Sequence, residues 1–181
     1  MRAPPVPRDL PGFLEALERA GELRRVAAEV SSDLEVTEIA CRVLRGGGPA
    51  LLFERVRGSP YPIAINIFAG PRRLEIALGR PPAEVGGELA RLIERLSPPS
   101  LAGLFRSRRT LWRIAQMRGR RVRRPPSQEV VEAPDLGRLP VLKCWPDDGG
   151  PFITYPLVIT AGREGRERNV GLYRMQVHSG T

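Results

Sequence analysis

The feature that most constrains this chain is a switch in apolar period, from 3.6 to 2 and back, repeated through its first hundred residues. Leu10, Phe13, Leu14 and Leu17 recur at the three-and-four spacing of a helical stripe. Asp9 is placed to cap that helix, Pro11 is tolerated in its first turn, and Gly21 is a natural stop. Leu23 to Val30 then reads as a strand. Ser32 and Asp33 are expected to open a second helix, with Val36, Ile39, Ala40, Val43 and Leu44 on one face and Gly46-Gly-Gly-Pro49 ending it. Ala50–Phe53 and Pro62–Phe68 read as strands separated by Arg57-Gly-Ser-Pro60. A third helix follows Gly70-Pro71, and a fourth runs from about Ala83 to Leu96 through Val85, Leu89, Leu92, Ile93 and Leu96. Helices alternating with strands imply an α/β domain, placed at residues 1–97.

Ser97-Pro-Pro-Ser100 breaks the pattern. Residues 98–126 read as a basic helical linker, with Leu101, Leu104, Leu111, Ile114, Ala115 and Met117 as its apolar side and Arg123-Arg-Pro-Pro126 as its end. Nine arginines and no acidic residue fall between positions 106 and 124. The remaining 20 basic residues equal the 20 acidic ones, so the net charge of +9 resides in this one segment. Such a run can bind phosphate backbones, or it can be a solvated or interdomain helix. It offers only Phe105 and Trp112 as aromatic partners and matches no nucleic-acid-binding motif, which favours the second reading.

From residue 127 the chain turns β-rich. Glu129–Glu132, Val141-Leu142, Phe152–Thr160 and Asn169–His178 read as strands, the last two joined by a turn at Ala161–Gly165. No run approaches the roughly 18 apolar residues of a membrane span. Nor does an apolar stretch follow Arg2, so no secretory signal is expected. Cys41 and Cys144 are too few for a disulfide framework and read as small buried hydrophobes in a reducing, cytoplasmic setting.

Two short runs carry candidate chemistry. In Asn169-Val-Gly-Leu-Tyr-Arg174, strand alternation sends Asn169, Gly171, Tyr173 and Met175 to one face, and Val170, Leu172, Arg174 and Gln176 to the other. A bend near Gly171 would be needed to bring Asn169 and Arg174 towards one ligand; otherwise this is an amphipathic strand with polar surface groups. In Asp147-Asp-Gly-Gly-Pro-Phe-Ile-Thr154, the glycine pair suits either a plain turn into a strand or a loop whose N–H groups approach an anion. Trp145 reads as core rather than as a cavity wall. Gly46-Gly-Gly48 lacks the lysine and helix of a phosphate loop and is read as a turn. His178, the only histidine, has no triad partners in evidence.

These runs, with Lys143-Cys-Trp-Pro146 and, more weakly, Asp9–Leu14 and Leu34–Ala40, resemble the UbiD family of prenylated-FMN-dependent decarboxylases. The resemblance implies an α/β N-terminal domain followed, at residues 127–181, by the first strands of a split β-barrel that binds flavin. It implies reversible, non-oxidative decarboxylation of an aromatic or α,β-unsaturated carboxylic acid. It casts Arg174 as a catalytic residue in a Glu–Arg–Glu network, and Leu172, Tyr173, Arg174 and Thr154 as contacts of prenylated FMN. Asn169 becomes a ligand of Mn²⁺ or another divalent metal, with K⁺ as a further cation. A flavin prenyltransferase would supply the cofactor, and the complete protein would be a homo-oligomer without membrane or nucleic-acid partners. The family's other metal ligands and both glutamates fall beyond the position matching Thr181, so the chain is expected to be the N-terminal part of such an enzyme. The alternatives are a non-catalytic α/β module that binds RNA or an acidic partner through residues 106–124, and an assembly subunit completed by a separate C-terminal chain.

Overall fold

A computed structural model describes residues 6–97, 101–116, 122–163 and 167–180. The expected break at 98–100, Arg118, Arg120 and Arg121 of the basic run, and the end of the turn at Gly165 lie outside them. The chain divides into two compact units. One comprises residues 7–69 and 134–180, the other residue 6 and residues 70–133.

In the larger unit, helix α1 (Leu10–Arg19) begins where expected: the Asp9 carboxylate accepts the Gly12 N–H at 2.8 Å. Its stripe buries Phe13 and Leu17 and leaves Leu10 exposed. An Asp9→Ala substitution removes one cap bond and is expected to cost about 0.5–2 kcal/mol, read as a lowered denaturation midpoint. Strand β1 (Leu23–Val30) pairs in parallel with β2 (Ala50–Val56), which pairs antiparallel with the short β3 (Ile63–Ile65). The parallel pair is connected through helix α2 (Glu35–Arg45).

Strand β2 is central, and its run Ala50-Leu-Leu-Phe53 is buried throughout. Val30, Val36, Leu51, Phe53, Val56 and Ile63 form one core cluster, with Ile39, Val43 and Leu142 packed against it. Burial of each such side chain is worth about 1.5–3 kcal/mol.

Helix α2 starts at Glu35, later than the Ser32-Asp33 opening expected, and has no side-chain cap. Leu34 takes φ 63° instead, and its N–H donates to the Lys143 carbonyl at 2.9 Å. The Lys143 N–H donates in turn to the Ser32 carbonyl at 3.1 Å. The segment before α2 is thus shaped by a partner more than a hundred residues away in sequence, which local capping rules do not contain. Thr37 is buried on this helix, whereas Leu44 is exposed and Cys41 only half-buried.

Beyond Lys143 the expected strands are shorter and more broken. Glu129–Glu132 is not a strand: Val130 and Val131 are exposed and unpaired in any sheet. Leu142 makes a single bridge to Phe152. The span Phe152–Thr160 splits into β4 (Phe152–Ile153) and β5 (Leu157–Ala161), because Tyr155 adopts φ 62°, outside the extended range a strand needs. Asn169–His178 splits into β6 (Arg168–Leu172) and β7 (Met175–Gln176). Strand β5 pairs antiparallel with β6, and β4 with β7. Pro62–Phe68 is likewise strand only over β3, ending where Asn66 takes φ 62° and donates to the Ala40 carbonyl.

The smaller unit is helical: α3 (Pro71–Leu78), α4 (Pro82–Leu96) and α5 (Leu101–Gln116). Along the expected apolar face of α4, Leu92 is buried but Leu89 and Ile93 are exposed. On α5, Phe105 and Trp112 are exposed and the Arg108 guanidinium lies over the Phe105 ring. Among the described residues no helix is long and apolar enough to cross a membrane.

Candidate functional site

The candidate residues sit where the chain passes from one two-stranded ribbon to the other. Strand β6 ends at Leu172 and β7 starts at Met175, so Tyr173 and Arg174 form the crossover. The chain breaks after Leu172 rather than at Gly171, and the break does not bring Asn169 and Arg174 to one point. On the β5–β6 ribbon, cross-strand pairs Leu157–Leu172 and Ile159–Val170 share one exposed apolar face. Thr160–Asn169 and Val158–Gly171 share the other.

Tyr173 folds back over that second face. Gly171 lies beneath the tyrosine ring, where an added Cβ would push the ring aside. The Tyr173 hydroxyl reaches the Asn169 side-chain amide at 3.5 Å. Asn169 and Tyr173 are therefore brought together.

Arg174 goes elsewhere. Its Nη1 donates to Oδ1 of Asp148 at 3.0 Å and its Nη2 to Oδ2, a two-pronged pair. Its guanidinium also lies 3.9 Å above the Phe152 ring. The Asp148 side chain is 12% exposed, against 40% for Arg174. Asp148 closes the Trp145–Asp148 turn as well, accepting the Trp145 N–H at 3.2 Å while its own N–H donates to the Trp145 carbonyl. The Gly149 carbonyl accepts from the Gln176 side chain of β7 at 2.9 Å, and the Val177 N–H donates to the Pro151 carbonyl at 2.9 Å. The Asp147–Thr154 loop is thus tied to the strand after Arg174.

The hydrogen bonds and charge of Arg174 hold the Asp148 carboxyl below the usual carboxylate range, against the opposing effect of partial burial. The backbone N–H groups of Trp145 and Cys144 act in the same direction as Arg174. Because the folded value lies below the unfolded one, this pair adds stability above about pH 4. That contribution is lost as pH falls through the depressed folded value. An acid titration is expected to show wild type losing stability more steeply than Asp148→Asn below pH 4, with the two curves converging at the acid end.

Thr154 is exposed and borders two clefts. One, of about 350 Å³, is walled by Ile63, Ala64, Leu142 and Phe152; the other, of about 310 Å³, by Ala64–Ala69 and Tyr155. Leu172 and Tyr173 are exposed on the ribbon and line neither cleft. Trp145 is 55% exposed and not core: its backbone N–H and carbonyl are held in the turn by Asp148. Cys144 is half-buried rather than buried, and His178 is exposed. Sequence reasoning passed over Asp148 as a partner. An acidic residue before a glycine pair marks a turn equally well, and nothing local links it to an arginine 26 positions later.

Two family models match the chain: the 3-octaprenyl-4-hydroxybenzoate carboxy-lyase N-terminal domain over residues 14–96, and the Rift-related domain of the same carboxy-lyase over residues 120–181. The chain belongs to the UbiD family. Solved structures agree. An evolved dimeric form of the UbiD-class enzyme HmfF from Pelotomaculum thermopropionicum, in complex with prFMN, is 26% identical with a TM-score of 0.65. That match covers 93% of this chain and 35% of the HmfF chain. Vanillic acid decarboxylase from Sedimentibacter hydroxybenzoicus, in closed form, is 26% identical with a TM-score of 0.74. There the match covers 98% of this chain and 36% of the other. The chain therefore spans about a third of the length of these UbiD proteins. The family and the α/β class expected from sequence are both borne out.

An amide oxygen is a hard, neutral donor suited to Mn²⁺ or Mg²⁺, so Asn169 fits as one ligand. Among the described residues, no group of three or more His, Cys, Asp or Glu side chains gathers around it or elsewhere. The metal's remaining ligands are thus not assembled here, and no chemical step is assigned to it. For a flavin, Leu172 and Tyr173 are exposed apolar groups and Arg174 is a fixed cation, residue types that suit a planar anionic cofactor, although they lie on different sides of the crossover.

Proposed function

We propose that this chain carries the opening part of the cofactor and substrate site of a UbiD-type carboxy-lyase, acting reversibly on an aromatic or α,β-unsaturated carboxylic acid. The observation that carries the reading is Arg174, clamped by Asp148 above Phe152 at a crossover whose neighbours are exposed. A guanidinium held in one orientation is suited to receive a carboxylate. On this reading residues 1–97 are the scaffold, 98–126 the linker, and 127–181 the start of a split-barrel cofactor domain.

Prenylated FMN, when bound, would supply the electron sink for loss of CO₂. Leu172, Tyr173 and Thr154 would contact it, Asn169 would give one ligand to Mn²⁺, and K⁺ would be a further cation. Arg174 would orient the substrate carboxylate through N–H groups not engaged by Asp148, and would tune glutamate partners in the complete enzyme. A flavin prenyltransferase would supply the cofactor, and the whole protein would act as a homo-oligomer in the cytoplasm.

The test is carboxylate exchange. The complete enzyme that contains this chain, produced with a flavin prenyltransferase, is incubated with a panel of arene-carboxylic and α,β-unsaturated acids in ¹³C-bicarbonate. Label entering at least one acid is expected, and no exchange across the panel would overturn the assignment.

A further inference from the structure

We propose that Asp148 is the positioning residue of this site: it fixes the direction of the Arg174 guanidinium, with Phe152 as the floor. The inference rests on the carboxy-lyase reading for its catalytic part and on geometry alone for the clamp.

Both Asp148 oxygens engage Arg174, one on each terminal nitrogen. That end-on arrangement, with the Cys144 side chain as a further partner of Arg174, limits the directions from which a substrate carboxylate can approach. The ring of Phe152 at 3.9 Å blocks one face of the guanidinium. Asp148 is itself held: it lies in a closed turn, and its side chain is largely buried. The floor is held as well. Phe152 pairs with Gln176, and its N–H donates to the Leu142 carbonyl, while Leu142 packs on the α/β core. A rigid route therefore runs from the core cluster through Leu142 and Phe152 to the guanidinium. Side chains supported in this way can hold a reactive geometry that a free arginine on a strand crossover cannot.

The clamp also sets charge. Asp148 neutralises Arg174, so substrate would be received by directed hydrogen bonds more than by net attraction. This separates positioning from a merely structural role. Asp148→Asn removes the two-pronged pair and keeps the Arg174 charge, so substrate binding should hold while alignment is lost. A merely structural role would instead raise KM along with the fall in kcat, while some loss of stability accompanies the variant on either reading.

The experiment has two arms. In the 181-residue chain, nitrogen NMR of the arginine side chains is expected to show restricted rotation of the Arg174 terminal nitrogens in wild type. Asp148→Asn is expected to abolish that restriction, and Asp148→Glu to retain it. In the prenylated-FMN-loaded enzyme, Asp148→Asn is expected to lower kcat by about 10²-fold without raising KM, and Asp148→Glu to recover most of the loss. Unrestricted Arg174 in wild type, unchanged restriction in Asp148→Asn, or kcat retained in that variant would each overturn the proposal. If Asp148→Asn does not fold, Phe152→Leu replaces it: it removes the floor, keeps the ion pair, and should lower kcat several-fold with KM held. An unchanged kcat there overturns the proposal equally. A wild type with no exchange on any acid would refute the carboxy-lyase reading, and the NMR arm would still decide the clamp.

Discussion

Replacing Phe53 with alanine is expected to destabilise the chain by about 3–5 kcal/mol. The phenylalanine is fully buried in the central strand of the three-stranded sheet, within the cluster formed by Val30, Val36, Leu51, Val56 and Ile63. Strand β2 is paired on both sides, so the sheet cannot shift to fill the space a lost ring would leave. The cost is therefore transfer of the ring to water plus a cavity that collapses only in part. Set against a typical total stability of about 5–15 kcal/mol, this is enough to unfold a substantial fraction of molecules. The measurement is urea denaturation of wild type and variant, reading a shift in midpoint at constant slope. A cost under about 1 kcal/mol would show that the sheet is not anchored at this ring. Because Leu142 packs on the same cluster and leads to Phe152, the variant should also loosen Arg174.

The second large effect is on activity. Arg174→Ala is expected to lower kcat/KM for decarboxylation by at least about 10²-fold, since it removes a fixed donor array that neither water nor a neighbour can replace. The same change strands the Asp148 carboxylate, which is only 12% exposed, without its counter-ion. Some loss of stability would accompany the loss of activity and blur its meaning. Arg174→Lys separates the two. Lysine keeps a positive charge beside Asp148 but cannot form the two-pronged pair or lie flat on Phe152. Its melting temperature should stay near wild type while kcat falls almost as far as in the alanine variant. Near-wild-type turnover in Arg174→Lys would mean that charge alone suffices at this position and that orientation is immaterial.

The legibility of this chain follows the range of the interactions involved. Helix α1 with its Asp9 cap, strand β1 and the run Ala50–Phe53 were readable because period and capping act within a few residues. The run Glu129–Glu132 misled for the converse reason. Its β-branched pair satisfies strand propensity, yet no partner strand comes to meet it. Tyr155 and Leu34 were invisible as turning points, since nothing in a tyrosine or a leucine announces positive φ. The candidate site was legible only in part. Asn169, Leu172, Tyr173 and Arg174 stood out as a contiguous motif, and the resemblance it carried led to the right family. Asp148 did not stand out, although it is the residue that holds Arg174.

The sequence by itself determined the α/β alternation, the confinement of excess charge to one segment, and the family, because each is written in local period, composition or contiguous motif. Only the tertiary structure decided which face of the crossover each side chain takes. Tyr173 turns back over Gly171 towards Asn169, while Arg174 turns away to Asp148 and Phe152. That choice depends on a loop 26 residues earlier being pinned, through Leu142 and Lys143, to the core and to the segment that precedes α2. Contacts at such separation form only when the chain closes on itself, so no local pattern encodes them.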